Sequence, residues 1–215
     1  MKKTAIVNLS TKEHHKGQTR LKHSLQGRFD GQVFLFDSEY FLPGCPKHSD
    51  NPYAFKIYAI EYARMYGYDQ ILWLDASVFA IKPVQPIFDW IEKNGLFMEE
   101  AGHLVGSWCP ENVREYFKIS RTSANNMPMF SAGFTGIDFT NPAGLKFFEL
   151  WKKSMLDGMF KGSWANHRHD MTCGSIIANL HGYHKLYSPG GNFFAYAGPG
   201  YTAPNETVLF HVQGI

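Results

Sequence analysis

The sequence predicts an α/β fold, a mostly parallel central sheet flanked by helices. Apolar runs of strand length alternate with segments of helical periodicity, an order that is typical of parallel sheets. One run, residues 71–74, is apolar at every position, as expected for a strand that is buried on both faces of such a sheet. A chain of 215 residues has the length of one domain, so we assign residues 1–215 to a single domain.

In the first half of the chain, residues 4–9 and 31–37 are predicted strands, because each is an apolar run that ends in polar residues. A short helix at residues 19–26 is predicted between them. Residues 43–52 are rich in Gly, Pro, Ser and Asp and form a loop. Residues 53–66 carry a broad apolar face at helical spacing, and the glycine that follows predicts the end of this helix. The helix leads into the fully apolar strand.

The second half continues the alternation of strands and helices. Residues 86–94 and 142–155 each carry apolar residues on one face and are predicted helices. Residues 129–139 are predicted to form a strand that is interrupted by Gly133 and Gly136, and glycine inside a strand often marks close approach of a ligand to the backbone. The remaining predicted elements are strands at residues 96–98 and 207–211 and helices at residues 111–119 and 170–180.

The composition is that of a globular protein, with 44% apolar and 16% aromatic residues. The formal net charge is +2, so the total charge does not indicate nucleic-acid binding. The first 28 residues nevertheless contain seven Lys and Arg residues and a single Glu. This cluster is equally compatible with a phosphate-binding surface and with a solvated basic face.

The cysteines and the apolar runs bear on the location of the protein. Cys45, Cys109 and Cys173 show none of the spacings of a zinc site or a disulfide framework, so we expect a protein of the reducing cytoplasm. The first apolar run ends at Asn8, too early for a secretory signal, and no apolar stretch is long enough to span a bilayer. We therefore expect a soluble protein with no membrane span.

A carboxylate and a hydroxyl follow the apolar strand. Asp75 comes directly after residue 74, and Ser77 follows two positions later. In open α/β sheets, ligands bind beyond the carboxyl ends of the strands. Asp75 is therefore a candidate functional residue, although an aspartate at a strand end also commonly stabilises a turn.

Three segments, taken in chain order, carry a family resemblance. The first joins residues 53–56 (Tyr-Ala-Phe-Lys) to residues 73–77 (Trp-Leu-Asp-Ala-Ser), the second is residues 130–139 with the Asn-Pro and helix that follow, and the third joins residues 169–171 (His-Asp-Met) to residues 210–214 (Phe-His-Val-Gln-Gly). Together they resemble the Asp-x-Asp region, the Asn-Ala-Gly strand and the His-Asp-Gln and His-x-x-Gly segments of the nucleotide-sugar glycosyltransferases with a GT-A fold. The resemblance implies a GT-A-like, Rossmann-like fold and transfer of a sugar from a nucleotide-sugar donor, with a UDP-type donor favoured.

The resemblance also implies a divalent metal site. Asp75 would hold Mn²⁺ or Mg²⁺ or the donor ribose, and His211 would complete the coordination. The cation would balance the negative charge that develops on the nucleoside diphosphate as the glycosidic bond breaks. Ser77 stands where the family has a second carboxylate, so this site has one negative charge fewer. Without a metal, Lys56 or Arg20 would have to neutralise the diphosphate.

Further site residues follow from the same resemblance. Asn8 and Ser10, at the end of the first strand, would meet the nucleotide, and Ser131 and Gly133 would border the sugar. Asp170 would act at the reacting centre, either as the base for the acceptor hydroxyl or as a carboxylate that faces the anomeric carbon. These two roles predict inversion and retention of the anomeric configuration, and the order of the motifs favours retention.

Structural roles compete with some of these assignments. Lys56 lies on a predicted helix, and we slightly favour its interpretation as a solvated helix residue. Asp170 begins a predicted helix, so an N-cap role is its default explanation. Residues 167–170 (His-Arg-His-Asp) have the residue types of a metal site, but histidines that alternate along a loop are more often polar surface residues.

Two other functions stay open at this point. The chain could be a catalytically degenerate module that binds a nucleotide or glycan, which Ser77 favours. It could also be a nucleotidyltransferase on a related scaffold, although no Gly-rich phosphate loop follows the first strand. The acceptor is open as well, since a glycan, a protein side chain and a modified nucleic-acid base all agree with the sequence.

Overall fold

The computed structural model describes residues 2–183, 193–196 and 208–213, and within them ten strands form three sheets. The strands are β1 (Thr4–Leu9), β2 (Gln32–Phe36), β3 (Gln70–Leu74), β4 (Val78–Ala80), β5 (Leu96–Phe97), β6 (Glu100–Leu104), β7 (Pro128–Phe130), β8 (Phe134–Asp138), β9 (Phe194–Tyr196) and β10 (Phe210–Val212). The α-helices are α1 (His15–Leu25), α2 (Ala54–Met65), α3 (Gln85–Asn94), α4 (Glu111–Tyr116), α5 (Arg121–Ala124), α6 (Pro142–Leu156) and α7 (His169–Leu180). None of the helices in the described ranges is long and apolar enough to cross a membrane.

The largest sheet has five strands in the order β2-β1-β3-β8-β5, so β3, which contains the apolar run at residues 71–74, lies at its centre. β1 runs parallel to both β2 and β3, whereas β8 runs antiparallel to β3 and to β5. β5 therefore points the same way as β3, and β8 is the one reversed strand of this sheet. The prediction of a mostly parallel central sheet is confirmed.

Helices cover both faces of this sheet, which explains why residues 71–74 of β3 are all apolar. Ile71 and Trp73 pack on one face, in a core that includes residues of α2, α6 and α7. Leu72 and Leu74 pack on the other face with residues of α1 and α3. Successive side chains of a strand point to opposite faces, so a strand with a core on each side favours apolar residues on both faces. The one polar residue of β3, Gln70, is buried and donates a hydrogen bond to Asp138.

Residues 129–139 do not form the single, interrupted strand that was predicted. The structure divides this segment into β7, which pairs with β6, and β8, which pairs with β3 in another sheet. Gly133 lies in the turn between them, where its carbonyl accepts a hydrogen bond from Asp75 N at 2.7 Å. A Cβ atom at Gly136 would lie 2.3 Å from Ile91 Cδ1. The close approach at Gly136 is therefore made by helix α3 and not by a ligand.

Other elements differ from the predictions in their extent. α1 begins earlier than predicted, at His15, and α4 ends earlier, at Tyr116. The strand predicted at residues 207–211 is observed as β10, and Thr207 lies outside the described residues. β4, β9 and α5 were not predicted, because elements of three or four residues give little periodicity. β6 was not predicted because its five residues contain no apolar run.

Asp138, at the end of β8, is a buried carboxylate whose ionised form the fold stabilises. Lys2 Nζ (2.7 Å), Thr140 N (2.8 Å) and Gln70 Nε2 (3.2 Å) donate hydrogen bonds to it. Burial by itself raises the pKa of Asp138, but these hydrogen bonds outweigh burial and hold the pKa below its ordinary value. The carboxylate thereby joins the N-terminus and β3 to the end of β8.

We therefore expect acid to destabilise the protein through Asp138. A carboxyl group with a lowered pKa in the folded state contributes stability above its unfolded pKa of about 3.9 and loses this contribution as the pH falls through the folded pKa. The difference in unfolding free energy between the wild type and Asp138→Asn should be largest at neutral pH and shrink below about pH 4. Urea unfolding curves over this pH range measure it, and a difference independent of pH would contradict the assignment.

Candidate active site

Four segments meet at the carboxyl end of β3. Asp75 follows β3 directly, and the turn between β7 and β8 brings Ser131 and Gly133 beside it. Lys56 lies in the first turn of α2, and Asp170 lies in the first turn of α7. Ligands of open α/β sheets bind at the carboxyl ends of the strands, so the fold gathers these side chains at the edge where a ligand is expected.

Lys56 is buried between two carboxylates. Its Nζ lies 2.9 Å from Asp170 Oδ2 and 3.2 Å from Asp75 Oδ1, and it donates a hydrogen bond of 2.9 Å to the carbonyl of Ala132. The side chain is 3% exposed, so the interpretation of Lys56 as a solvated helix residue is wrong. Burial disfavours its charge, but Asp170 and Asp75 outweigh burial and hold the pKa of Lys56 above its ordinary value. We call these three residues the charge cluster.

Asp75 is the exposed member of the charge cluster, with 38% of its side chain accessible. Its Oδ1 accepts a hydrogen bond of 2.7 Å from the indole Nε1 of Trp73 and also contacts Lys56. A Cβ atom at Gly133 would lie 3.0 Å from Asp75 Oδ2, so the absence of a side chain there leaves room for the carboxylate. The protein thus holds one oxygen of Asp75, and the other lies beside Gly133.

Asp170 is almost completely buried at the start of α7. It is not the N-cap, a position that Arg168 occupies, but it lies in the first helical turn, where the helix dipole favours a negative charge. Burial raises the pKa of Asp170 and Lys56 lowers it, and the net pKa lies above the ordinary value. A buried carboxylate with a raised pKa and a fixed cationic partner is typical of a group that takes part in catalysis.

Two cavities open on either side of Asp75 and Ser77, and Tyr53 borders both. The first, which we call the β1-side cavity, lies next to the end of β1. The second, which we call the carboxylate cavity, contains Lys56 and Asp170. The β1-side cavity is further lined by Leu9, Thr11, His14, His48 and Phe55, and the carboxylate cavity by Ser131, Gly133, Trp164, Met171 and Val212.

Asn8 and Ser10 lie behind the β1-side cavity and do not line it. Asn8 is buried, donates a hydrogen bond of 2.7 Å to the carbonyl of Leu74 and accepts one of 2.8 Å from Gln18 Nε2. Ser10 Oγ is buried and has no hydrogen-bond partner within the described part of the chain. Asn8 therefore ties β1 to β3, and Thr11 is the polar residue of this segment that faces the cavity.

Arg20 fastens the C-terminal segment to the loop after β3. Its guanidinium donates hydrogen bonds to the carbonyl of Ser77 (3.1 Å) and to Oε1 of Gln213 (2.9 Å). It also lies 4.5 Å from the centre of the Phe79 ring. Arg20 therefore has a structural role, because it connects α1 to the loop after β3 and to the C-terminal segment.

His211 lies opposite Phe79 in the antiparallel pair formed by β4 and β10, with the two rings edge to face at 5.6 Å. Burial lowers the pKa of His211, which favours the neutral imidazole that a metal ligand needs. The described ranges contain no group of three or more His, Cys, Asp or Glu side chains placed to hold a metal. A cation here would take most of its ligands from substrate and water, as Mg²⁺ commonly does. Gly214, which ends the resemblance, lies outside the described residues.

The histidines at residues 167–170 are internal, so their interpretation as polar surface residues is wrong. His167 and His169 are both buried. His167 Nε2 lies 2.8 Å from the carbonyl of Met159, and His169 Nδ1 lies 2.7 Å from the carbonyl of Phe160. These hydrogen bonds fix the loop between α6 and α7, which leads into Asp170.

Three aromatic residues of the site were not predicted as site residues. The position of Trp73 could have been predicted from the sequence. Residues two apart on a strand point to the same face, so the strand period places the Trp73 indole beside Asp75. Tyr53 precedes α2 with φ at 60°, and non-glycine residues in this left-handed region cluster at functional sites. Trp164 lies in a loop, where no periodic pattern exists to place it.

No protein-family model matches the sequence, and no curated protein resembles it significantly. Solved structures of glycosyltransferases, in contrast, are similar to its fold. A glycosyltransferase involved in the glycosylation of the major capsid of PBCV-1 matches with a TM-score of 0.57 and 11% identity, over 98% of this chain and 93% of that chain. Mouse xyloside xylosyltransferase 1 matches with a TM-score of 0.57 and 10% identity, over 98% of this chain and 97% of that chain.

The bifunctional glycosyltransferase WbbM is also similar, with a TM-score of 0.54 and 10% identity. The match covers 82% of this chain but only 37% of WbbM. At identities this low, the similarity shows the fold alone, and the resemblance in the sequence had predicted this fold. The chain therefore has the GT-A-like fold of these glycosyltransferases.

Proposed function

We propose that the protein is a glycosyltransferase that moves a sugar from a nucleotide-sugar donor, with a UDP-type donor favoured, to an acceptor hydroxyl. The observation that carries this proposal is the charge cluster, in which buried Lys56 joins Asp75 and Asp170 at the carboxyl end of the central strand. Perturbed charged groups beside a cavity are typical of a catalytic site. The glycosyltransferase fold supports sugar transfer as the reaction class.

The two cavities suit the two halves of such a donor. The nucleotide would lie in the β1-side cavity, beside the rings of His48 and Tyr53, which pack edge to face at 4.9 Å, and the sugar would lie in the carboxylate cavity. Asp75 and Ser77, at the junction, would contact the ribose and the diphosphate. His48 Nδ1 accepts a hydrogen bond of 3.2 Å from Tyr53 N, and burial lowers the pKa of His48. The neutral ring then carries its hydrogen on Nε2, which gives the nucleotide a hydrogen-bond donor.

Asp170 acts at the reacting centre in this proposal. Lys56 favours the ionised carboxylate in a buried position, so that Asp170 can accept the proton of the acceptor hydroxyl or face the anomeric carbon. We favour the second role, which predicts retention of the anomeric configuration. Ser131 and the backbone at Gly133 border the donor sugar in either case.

The donor diphosphate brings negative charge to a cluster that already has two carboxylates and one ammonium. A divalent cation bound with the donor would offset this repulsion. The half-exposed carboxylate of Asp75, with Oδ2 held by no described residue, fits such a cation, and His211 is a further candidate ligand. Bound Mn²⁺ or Mg²⁺ would supply charge stabilisation for the leaving diphosphate.

A thermal-shift screen of nucleoside diphosphates and their sugars tests the donor site. A ligand at about 100 times its Kd stabilises the native state by about 2.7 kcal/mol. We expect a UDP-type ligand with Mn²⁺ to raise the Tm of the wild type, and Asp75→Ala to lose most of this shift. The matched control is Asp30→Ala, an exposed carboxylate just before β2, at the opposite edge of the sheet. Equal shifts in all three proteins would remove Asp75 from the site.

A further inference from the structure

Trp164 is a large aromatic side chain exposed beside the carboxylate cavity. It lies between α6 and α7 and lines this cavity together with Lys56 and Asp170. The residue is 52% exposed, whereas Trp73 and Trp151 are completely buried. An exposed indole beside a cavity is typical of a binding surface, because tryptophan offers a large, rigid contact area.

Neighbouring side chains hold the indole in place. The guanidinium of Arg168 lies 4.1 Å from the centre of the Trp164 ring and 3.5 Å from that of Trp108, and it donates a hydrogen bond to the carbonyl of Trp164. The imidazole of His169 stacks on Trp164 at 5.6 Å, with an angle of 25° between the rings. Tyr53 packs at 5.8 Å. A side chain that is fixed before binding loses less entropy when a ligand arrives.

The space beside Trp164 is too small for both reactants. The carboxylate cavity encloses about 190 Å³, less than the roughly 300–1,000 Å³ of pockets that hold drug-sized ligands. It therefore accommodates a single sugar ring, that of the donor. The acceptor has to approach from the entrance, where Trp164 is exposed.

The charges that line the carboxylate cavity favour a neutral acceptor with hydroxyl groups. Among the described residues that line the carboxylate cavity, Lys56 is the one cation, and Asp75 and Asp170 already pair with it. Arg168 lies outside this lining, where the rings of Trp108 and Trp164 hold its guanidinium. The two carboxylates repel a phosphodiester. They accept hydrogen bonds from hydroxyl groups, and Ser131 Oγ can accept them too. A sugar ring combines such hydroxyl groups with a face of C–H bonds that packs on an indole.

We infer that Trp164 is an acceptor platform and that the acceptor is a carbohydrate, whose ring packs on the indole and directs one hydroxyl into the carboxylate cavity. This inference rests on the proposed transfer reaction and narrows its acceptor to a glycan. In that reaction the acceptor oxygen bonds to the anomeric carbon, the bond from this carbon to the diphosphate breaks, and the hydroxyl proton leaves with the nucleoside diphosphate.

The test uses Trp164→Ala and Trp164→Phe, with Tyr66→Ala as the control, an exposed aromatic residue at the end of α2 outside both cavities. Release of nucleoside diphosphate is measured in water alone and with a panel of methyl glycosides, a serine peptide and hydroxymethylated DNA as acceptors. Trp164→Ala should lower kcat/KM for the best glycoside by about tenfold or more beyond any change in its release to water, so the ratio of transfer to release should fall. Trp164→Phe should be intermediate, and Tyr66→Ala should match the wild type.

Saturation-transfer NMR with the same glycosides, without donor, gives a second readout. The wild type and Tyr66→Ala should transfer saturation to at least one glycoside, and Trp164→Ala should not. The inference is overturned if Trp164→Ala uses and binds glycosides like the wild type, if release to water falls in parallel with transfer, or if the wild type transfers only to a serine peptide or hydroxymethylated DNA. If no donor is consumed at all, the proposed function fails, and the NMR comparison still decides whether Trp164 binds a carbohydrate.

Discussion

Replacement of Lys56 by methionine is expected to lower the free energy of unfolding by about 3–5 kcal/mol, the range for removing one partner of a buried ion pair. Methionine fills the space of the lysine stem, but Asp170 keeps a buried carboxylate without its cation. Lys56 lowers the pKa of Asp170, so its removal raises that pKa further above the unfolded value. A carboxyl group with a raised folded pKa costs stability as the pH rises and the group ionises. The destabilisation, measured by urea unfolding, should therefore grow with pH.

Two further variants control this measurement. The double variant Lys56→Met/Asp170→Asn removes both buried charges, and it should recover most of the lost stability. Lys153→Met breaks the exposed pair with Asp157 and should cost less than about 1 kcal/mol. A Lys56→Met protein as stable as the wild type at every pH would contradict the buried charge cluster.

The Asp170→Asn variant is expected to lower kcat/KM for sugar transfer by about 10²–10⁴-fold, the usual contribution of a positioned acid–base group. Asparagine keeps the shape of the side chain, but it can neither accept the acceptor proton nor stabilise charge at the anomeric carbon. Lys56 keeps Asp75 and the carbonyl of Ala132 as partners, so the variant should fold. Its rate is measured against a urea unfolding curve of the same preparation, which separates lost chemistry from lost structure.

The pH profile makes the Asp170 assignment specific. Because the pKa of Asp170 lies above its ordinary value, the wild-type rate should rise with pH through a pKa above that of an unperturbed aspartate. This limb should be absent from the residual rate of Asp170→Asn and unchanged in Asp30→Asn. A folded Asp170→Asn protein with the wild-type rate would exclude Asp170 from the reaction.

The fold was largely predictable because a few adjacent apolar residues identify its central strand. The apolar run that forms β3 predicted a strand buried on both faces, and the structure places it in the middle of the sheet. The reversal of β8 was not predictable in the same way, since the direction of a strand depends on how its connections run in space. The division of residues 129–139 into two strands was not predictable either. It depends on the turn at Gly133, whose carbonyl accepts a hydrogen bond from Asp75 N.

The position of the candidate site was predictable, but its contacts were only partly so. Asp75 follows from the rule that ligands bind at the carboxyl ends of strands. The burial of Lys56 had a signal that was overlooked: Lys56 lies four residues before Ile60, on the apolar face of α2, where a solvated side chain has no place. No pattern in the sequence predicted the contact between Arg20 and Gln213, because it joins residues from opposite ends of the chain.

Product analysis with a panel of nucleotide-sugars tests most directly whether Asp75 faces a bound, activated sugar. The wild type and Asp75→Asn are incubated with each donor, with Mn²⁺ or with EDTA, and the released compounds are separated by chromatography. The proposal predicts that the wild type releases a nucleoside diphosphate together with a free or transferred sugar, and that Asp75→Asn releases far less. Release of pyrophosphate would instead indicate nucleotidyl transfer, and tight nucleotide binding without any release would indicate a binding module; either result would contradict glycosyl transfer.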